Sequence, residues 1–258
     1  MIIRKIIKRV FPNENKRLEL IENKLNLIEN ELNLIKFAIG DQNGMGKLLL
    51  MMNNAKIPKK YEYIFLKMKK DDVYVDCGAN IGLIIDIAKH QQGKIYAFEP
   101  NKNLFTFLKQ KYSENQEIQI YEKAVYNKDG EIEFNTPSNE NEDYISCSWC
   151  GSISTIENLD KFVKNFKKKN VVETVNFSKF IKEKIFSKEK EIYLLKIDIE
   201  GVEFEVINNI IENNLYSKIK YIVCETHERF FNDGKEKLEK LEKLIKEKNI
   251  KNIFLDWI

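Results

Sequence analysis

Proline and glycine are scarce, at four and ten residues in a chain of 258. That excludes collagen-like and low-complexity architectures. Cysteine is scarce too. Four thiols in a chain this long make no disulfide framework, and Cys77 and Cys224 sit in apolar runs as small buried residues. A reducing, cytoplasmic setting fits. Arginine supplies only four of the 43 basic residues (Arg4, Arg9, Arg17 and Arg229), which argues against clustered bidentate phosphate recognition. Forty acidic residues nearly cancel the basic ones, and a net charge of +3 leaves no footprint of a nucleic-acid binder. No apolar run approaches the roughly 18 residues of a membrane span. The opening MIIRKIIKRVF has neither the unbroken apolar stretch nor the small-residue cleavage site of a signal peptide.

What is present is apolar and aromatic mass: 43% hydrophobic residues, with 16 Phe and 11 Tyr. That is enough core for one large domain plus an appendage. The pattern divides the chain into a helical, coiled-coil segment, residues 1–46, and a body, residues 47–258. Within the first, residues 2–11 set Ile3, Ile6, Ile7 and Val10 against lysine and arginine. The simpler reading is a short helix packed on the protein; the alternative is peripheral contact with an anionic inner-membrane surface. From Leu18 the pattern sharpens. Leu18, Leu25 and Leu32 take heptad position a, and Ile21, Ile28 and Ile35 take d, with Ile39 closing the seam. In a parallel pair the flanking charges Arg17–Glu22, Lys24–Glu29 and Glu31–Lys36 are all opposite in sign. Leu at a with Ile at d favours more than two strands, so residues 18–39 predict a homotrimer or homotetramer; the alternative is one amphipathic helix docked on the chain's own body.

After residue 70 strands and helices alternate: Val73–Cys77, Ile81–His90, Lys94–Phe98, Asn101–Tyr112, Ile118–Tyr121, Gly130–Phe134, Tyr193–Ile199, Val202–Asn213, Tyr221–Cys224, a Lys/Glu helix over 235–248 and Ile253–Ile258. The alternation predicts an α/β fold, a doubly wound, mostly parallel Rossmann-like sheet with helices on both faces. Ligands then bind beyond the carboxyl ends of the strands, at the switch point.

Two strand ends carry the donor chemistry. The first reads Asp76-Cys77-Gly78-Ala79-Asn80-Ile81-Gly82. Its glycines let backbone approach a ligand, and the helix that follows offers free N–H groups. The Gly-x-x-x-Gly spacing departs from the Gly-x-Gly-x-x-Gly of pyrophosphate binders. The second reads Phe98-Glu99-Pro100-Asn101. Glu99 follows the turn at a distance suited to an acidic residue on a ribose diol. Together they favour an adenosyl nucleoside without phosphates, S-adenosylmethionine.

The segments VYVDCGANIG (73–82), IYAFEPN (95–101), KAVYNKDGEIEF (123–134), LLKIDIEGVEFEVI (194–207) and IVCETHE (222–228) resemble the FkbM family of methyltransferases. The resemblance implies a class I methyltransferase fold, S-adenosyl-L-methionine as cofactor and O-methylation, often of sugars. It also implies that Asp76, Gly78, Ala79, Asn80 and Gly82 hold the methionine portion, that Glu99, with Pro100 and Asn101, takes the ribose, and that Ala124 lies by the adenine. The family usually closes its sheet with two strands after the last long helix; one is expected here, with the final hairpin short, absent or truncated.

Lys196, Asp198 and Glu200 alternate at one strand end, and Glu225 and His227 at the next. O-methylation needs a base for the acceptor proton, and His227 is the first choice, with Glu225, Glu200 and Lys196 completing the catalytic set. Asp198 contacts the donor amine or the acceptor. A divalent metal on Asp198, Glu225 and His227 is compatible with this chemistry, but the pattern does not demand one. The acceptor is expected to be a carbohydrate or small molecule, a surface glycan or its precursor by resemblance. A non-catalytic, ligand-binding assembly module on the same fold is the alternative. Cys147-Ser148-Trp149-Cys150 lacks the second pair a zinc site needs and reads as loop packing. The lysines from Lys164 to Lys169 read as a solvated helix face.

Overall fold

The computed structural model describes residues 44–137, 152–153 and 166–257. The 2–11 segment, the 18–39 seam and the C-x-x-C at 147–150 lie outside them. The chain divides into two compact units at Asn54/Ala55. The described part of the first is helix α1 (Met45–Asn54), which buries Leu48 and Met52, one turn apart. No described helix is long and apolar enough to cross a membrane.

The second unit begins with α2 (Lys59–Leu66) and then alternates: β1 (Val73–Cys77), α3 (Leu83–His90), β2 (Lys94–Phe98), α4 (Lys102–Lys111) and β3 (Ile118–Tyr121). A smaller sheet intervenes, made of β4 (Ala124–Tyr126), β5 (Gly130–Pro137), β6 (Ser152–Ile153) and β7 (Phe166–Asn176). A short helix α5 (Phe177–Phe180) and a π-helical turn over Ile181–Ile185 follow. Alternation then resumes with β8 (Ile192–Ile197), α6 (Glu203–Glu212), β9 (Ile219–Cys224), α7 (Gly234–Glu247) and β10 (Ile253–Phe254).

The main sheet has the order β10-β9-β8-β1-β2-β3. Every neighbouring pair in it is parallel. Parallel neighbours need crossovers, which α3, α4, α6 and α7 supply. β1 and β8 are the innermost strands, and every residue of both is buried, as expected of near-continuous apolar runs covered on both faces. From β1 the chain winds outward to β3. It then returns to β8 and winds outward the other way. The direction therefore reverses between β1 and β8, which puts the switch point at the carboxyl ends of these two strands.

The smaller sheet runs β4-β7-β5-β6. It corrects the reading of Lys167–Lys169 as part of a helix face; Lys164 lies outside the described residues. Phe166–Asn176 is a strand, paired antiparallel with β5 from Gly130–Thr174 to Pro137–Phe166. The β-branched run from Val171 to Val175, with β5 as partner, outweighs the charge pattern of the lysines. Behind this sheet Phe177 and Phe180 reach the main one. Both meet the Phe98 ring edge-on, at 5.7 and 5.0 Å, and Tyr121 stacks on it at 5.1 Å. Contacts of this kind fix the end of β2, the residue before Glu99.

The last strand is two residues long, not six. Beyond Phe254 the chain turns away to bridge Asp256 to Glu225 in antiparallel sense, and Trp257 N–H donates to Cys224 O at 3.2 Å. Trp257 is buried against Tyr61 and Phe65 of α2. Asp256 also accepts from the Lys60 ammonium and the Tyr61 hydroxyl.

Candidate active site

The turn after β1 is wound through left-handed backbone at Gly78, Asn80 and Gly82, with φ of +83°, +52° and +80°. Gly78 and Ala79 N–H both donate to Phe98 O, at 3.1 and 3.0 Å, drawing the turn against the end of β2. The glycines do more than leave room for a ligand. A Cβ on Gly78 would lie 1.8 Å from Asp198 O, and one on Gly82 would lie 2.6 Å from the Tyr112 hydroxyl. The space each leaves is filled by the protein itself.

Glu99 is buried at the end of β2. Its Oε2 accepts from Asn80 N–H at 2.8 Å and its Oε1 from Asn101 N–H at 2.9 Å. Burial raises its carboxyl to about 7 against the pull of those two amides. Asn101 caps α4, its side chain accepting from Asn103 N–H at 3.0 Å. Pro100 joins the two. Ala124 is buried at the start of β4, three residues beyond Tyr121, which pairs with Phe98.

Asp76 and Lys196 face each other across the switch point. Lys196 Nζ lies 3.3 Å from Asp76 Oδ1 and 3.3 Å from Asp198 Oδ2, and donates to Gly78 O at 3.0 Å. Burial disfavours the ammonium, but Asp76 and then Asp198 outweigh it and hold Lys196 well above its ordinary value. Lys196 is thus a fixed cation bracing β1 against β8, and a poor proton acceptor. Asp76 is raised by burial, with Lys196 opposing. Its second oxygen, Oδ2, is buried without a hydrogen-bond partner among the described residues. The Tyr74 hydroxyl, equally buried, faces Asp76 and helps hold its carboxyl down, at a geometry too loose for a well-formed hydrogen bond.

The next strand ends bring the acid–base groups together. β9 stops at Cys224, and His227 takes a left-handed φ of +45° that turns its ring inward, where it is 1% exposed. Nε2 lies 3.2 Å from Glu200 Oε2, 3.2 Å from Glu225 Oε1 and 3.9 Å from Asp198 Oδ1. On its other side Nδ1 meets Glu203 Oε1 at 2.8 Å. Burial alone would lower His227; the Glu203 hydrogen bond and the charges of Glu203, Glu200 and Glu225 raise it to about 9. Burial lifts Glu200 to about 7, His227 opposing, and its side chain remains 29% exposed. Arg229 holds Glu225 Oε1 at 2.9 Å. Asp198, Glu200 and His227 each offer one ligand atom within 4.8 Å of the others, a set able to take a metal ion. Beside the cluster a cleft of about 660 Å³, lined by Glu225, Arg229, Leu238, Ile245, Phe254 and Asp256, reaches it at Glu225.

The structure therefore brings Asp76, Gly78, Lys196 and Asp198 to one point, Glu99, Asn80 and Asn101 to a second, and Glu200, Glu225 and His227 to a third. Asp198 joins the first to the third. Sequence reasoning passed over Glu203, which is fully buried. The signal was present: Glu203 heads the stripe Val206, Ile207 and Ile210 on α6, all buried, where an apolar residue belongs.

A doubly wound parallel sheet with an acidic glycine turn and a second acidic strand end at its switch point defines a class I methyltransferase-like fold. The Methyltransferase FkbM domain matches residues 76–251, more than half of the chain. The chain belongs to the FkbM methyltransferase family, and the resemblance read from residues 73–228 is borne out. Among solved structures the chain is similar to that of methyltransferase FkbM from Methylobacillus flagellatus KT, with 13% identity and a TM-score of 0.42. The match covers 86% of this chain and 54% of that one, so the chain spans about half the length of that relative. No curated protein matches the chain.

Proposed function

We propose that the protein is an S-adenosylmethionine-dependent O-methyltransferase acting on a sugar hydroxyl of a surface glycan or its precursor. One observation carries the donor assignment: two buried carboxylates, Asp76 and Glu99, stand on neighbouring strands at the switch point, and Asp76 Oδ2 has no well-formed hydrogen bond among the described residues. A buried carboxylate oxygen left unsatisfied costs about 1–3 kcal/mol or more, so it calls for a donor. The cationic amine of the amino-acid portion supplies one. Glu99 uses one lone pair of each oxygen on a backbone amide and keeps acceptor capacity for a ribose diol. The donor set present thus fits this cofactor. When bound, its sulfonium supplies an electrophilic methyl group.

The chain's own residues supply the rest. Asp198, between donor and acid–base groups, is placed to orient the acceptor hydroxyl for in-line approach. Glu200 is the better first proton acceptor: it is partly exposed, and its value of about 7 suits a base near neutrality. His227, nearly inaccessible and 3.2 Å from it, opposes the rise that burial imposes on Glu200. Histidine, the first choice from sequence, thus moves one place back from the acceptor. Glu225 borders the adjoining cleft and is the alternative acceptor of the proton. The sugar assignment rests on the family resemblance. Self-association through residues 18–39 rests on their heptad pattern, and inner-membrane contact through residues 2–11 on their amphipathic one.

The test is transfer of a labelled methyl group to a panel of sugars and sugar nucleotides. Glu200→Gln should lower turnover by about 10²–10⁴-fold with donor binding unchanged. Donor binding with no transfer to any acceptor would favour the non-catalytic module. Transfer undiminished in Glu200→Gln would move the base to Glu225 or His227.

A further inference from the structure

Glu203 is 0% exposed, the first residue of α6, and it touches both halves of the acid–base cluster. Its Oε1 accepts from Ile199 N–H at 3.2 Å and its Oε2 from Gly201 N–H at 3.0 Å. These are the amides on either side of Glu200. The same Oε1 lies 2.8 Å from His227 Nδ1. An ionised carboxylate only accepts, so this contact requires Nδ1 to carry a proton. That fixes the ring and aims Nε2 at Glu200 and Glu225.

The backbone around this carboxylate needs holding. Glu200 has φ +58° and His227 φ +45°, both left-handed and costly for residues with a Cβ. Such conformations persist where surrounding contacts over-determine them. Glu203 supplies contacts to both. A carboxylate taken wholly out of water costs several kcal/mol unless it is paired and hydrogen-bonded. An apolar residue would serve the α6 stripe at less cost, so the stripe does not explain its presence. The N-terminal end of α6 and three donors do make the charge tolerable there.

We propose that Glu203 is the positioning residue of this site: one buried carboxylate that locks the His227 ring and the Ile199–Gly201 turn into a single register, so that Glu200 and His227 Nε2 meet. The proposal rests on the reading of Glu200 and His227 as the acid–base pair. It adds a residue that touches neither donor nor acceptor and acts through both of these groups.

Two readouts test it, one independent of any acceptor. The chain has only two histidines, so its ring N–H protons are simple to assign by proton NMR. The wild type should show one strongly downfield, exchange-protected ring N–H, absent in His227→Ala. It should vanish in Glu203→Ala and move upfield in Glu203→Gln. The second readout is kinetic. Glu203→Gln should lower kcat by about 10²-fold, the cost of small misplacement, with the donor KM nearly unchanged. In a His227→Ala background the same substitution should cost less, because one of the two groups it acts through is gone. Should Glu203→Ala fail to fold, the isosteric Gln variant carries both readings. A downfield proton unchanged in Glu203→Gln would overturn the proposal. So would full kcat in Glu203→Gln, or equal losses with and without His227. A wild type inactive on every acceptor would defeat the functional reading instead, and the NMR result would still decide the contact.

Discussion

Gly78 and Asp198 belong to different strand ends, yet the side chain one of them lacks would coincide with the backbone of the other: a Cβ on Gly78 would sit 1.8 Å from Asp198 O. Asp198 N–H in turn donates to Cys77 O at 3.1 Å. The two turns that flank the switch point are therefore one packed unit. Gly78→Ala should do two kinds of damage, since φ is +83° and the obstacle is backbone. The expected loss is about 2 kcal/mol or more of stability, or a drop in Tm of roughly 4–8 °C. Thermal unfolding followed by circular dichroism checks it; an unchanged Tm would mean that the turns separate easily.

Lys196 braces this unit between Asp76 and Asp198. Lys196→Met keeps the volume and leaves Asp76 buried without its cation. Breaking a buried pair in this way costs about 3–5 kcal/mol. Lys196→Met with Asp76→Asn should recover part of that loss. Urea unfolding of the wild type and the two variants gives the answer, and a double variant no more stable than the single would show that the pair is not the brace.

Donor binding should depend on pH. Glu99 rests at about 7 when its site holds no ribose, raised by burial. A ribose diol donates to the ionised carboxylate, so binding favours loss of the Glu99 proton. Affinity should rise as pH rises from 5 through about 7 and level off above. Below pH 7 the complex should release protons. Calorimetry of S-adenosylhomocysteine in buffers of different ionisation enthalpy measures that release; zero release at pH 6 would contradict it.

The pH dependence of turnover separates the two proton acceptors. A raised carboxyl is a base only when ionised. With Glu200 as acceptor, kcat should climb as pH rises through about 7 and stay level beyond. With His227 in that role the climb would continue to about 9.

Most of the fold was legible because the strongest patterns are local. VYVDC and IYLLKI are apolar runs interrupted only by Asp76 and Lys196, and they proved to be the two innermost strands. The acidic strand ends were legible because topology puts ligand chemistry there. Of the smaller sheet only β5 was legible, as Gly130–Phe134; its long partner was not. That partner, Phe166–Asn176, opens on lysines, and only its pairing with β5, some forty residues away, makes it a strand. The depth of His227 was hidden too, since the sequence shows a polar residue past a strand and not the left-handed turn that folds it inward. Glu203 was missed for a related reason: one of three acidic residues in an amphipathic helix reads as surface until its partners are known.

The heptad seam makes its own prediction. Leu25→Glu with Ile28→Glu puts charge at a and d in the middle heptad and should reduce a trimer or tetramer to monomers. Light scattering on the full chain reads this directly, and a wild type that is monomeric at micromolar concentration would refute the seam.

The central claim is that the ends of β1 and β2 hold the adenosyl donor, and calorimetry of S-adenosylhomocysteine against the wild type and Glu99→Ala tests it most directly. The account expects one ligand per chain for the wild type. It expects the variant to bind more weakly by on the order of 1–3 kcal/mol, roughly 5- to 150-fold, because the ribose hydroxyls lose a charged acceptor. No binding to the folded wild type, or equal affinity in the folded variant, would contradict it.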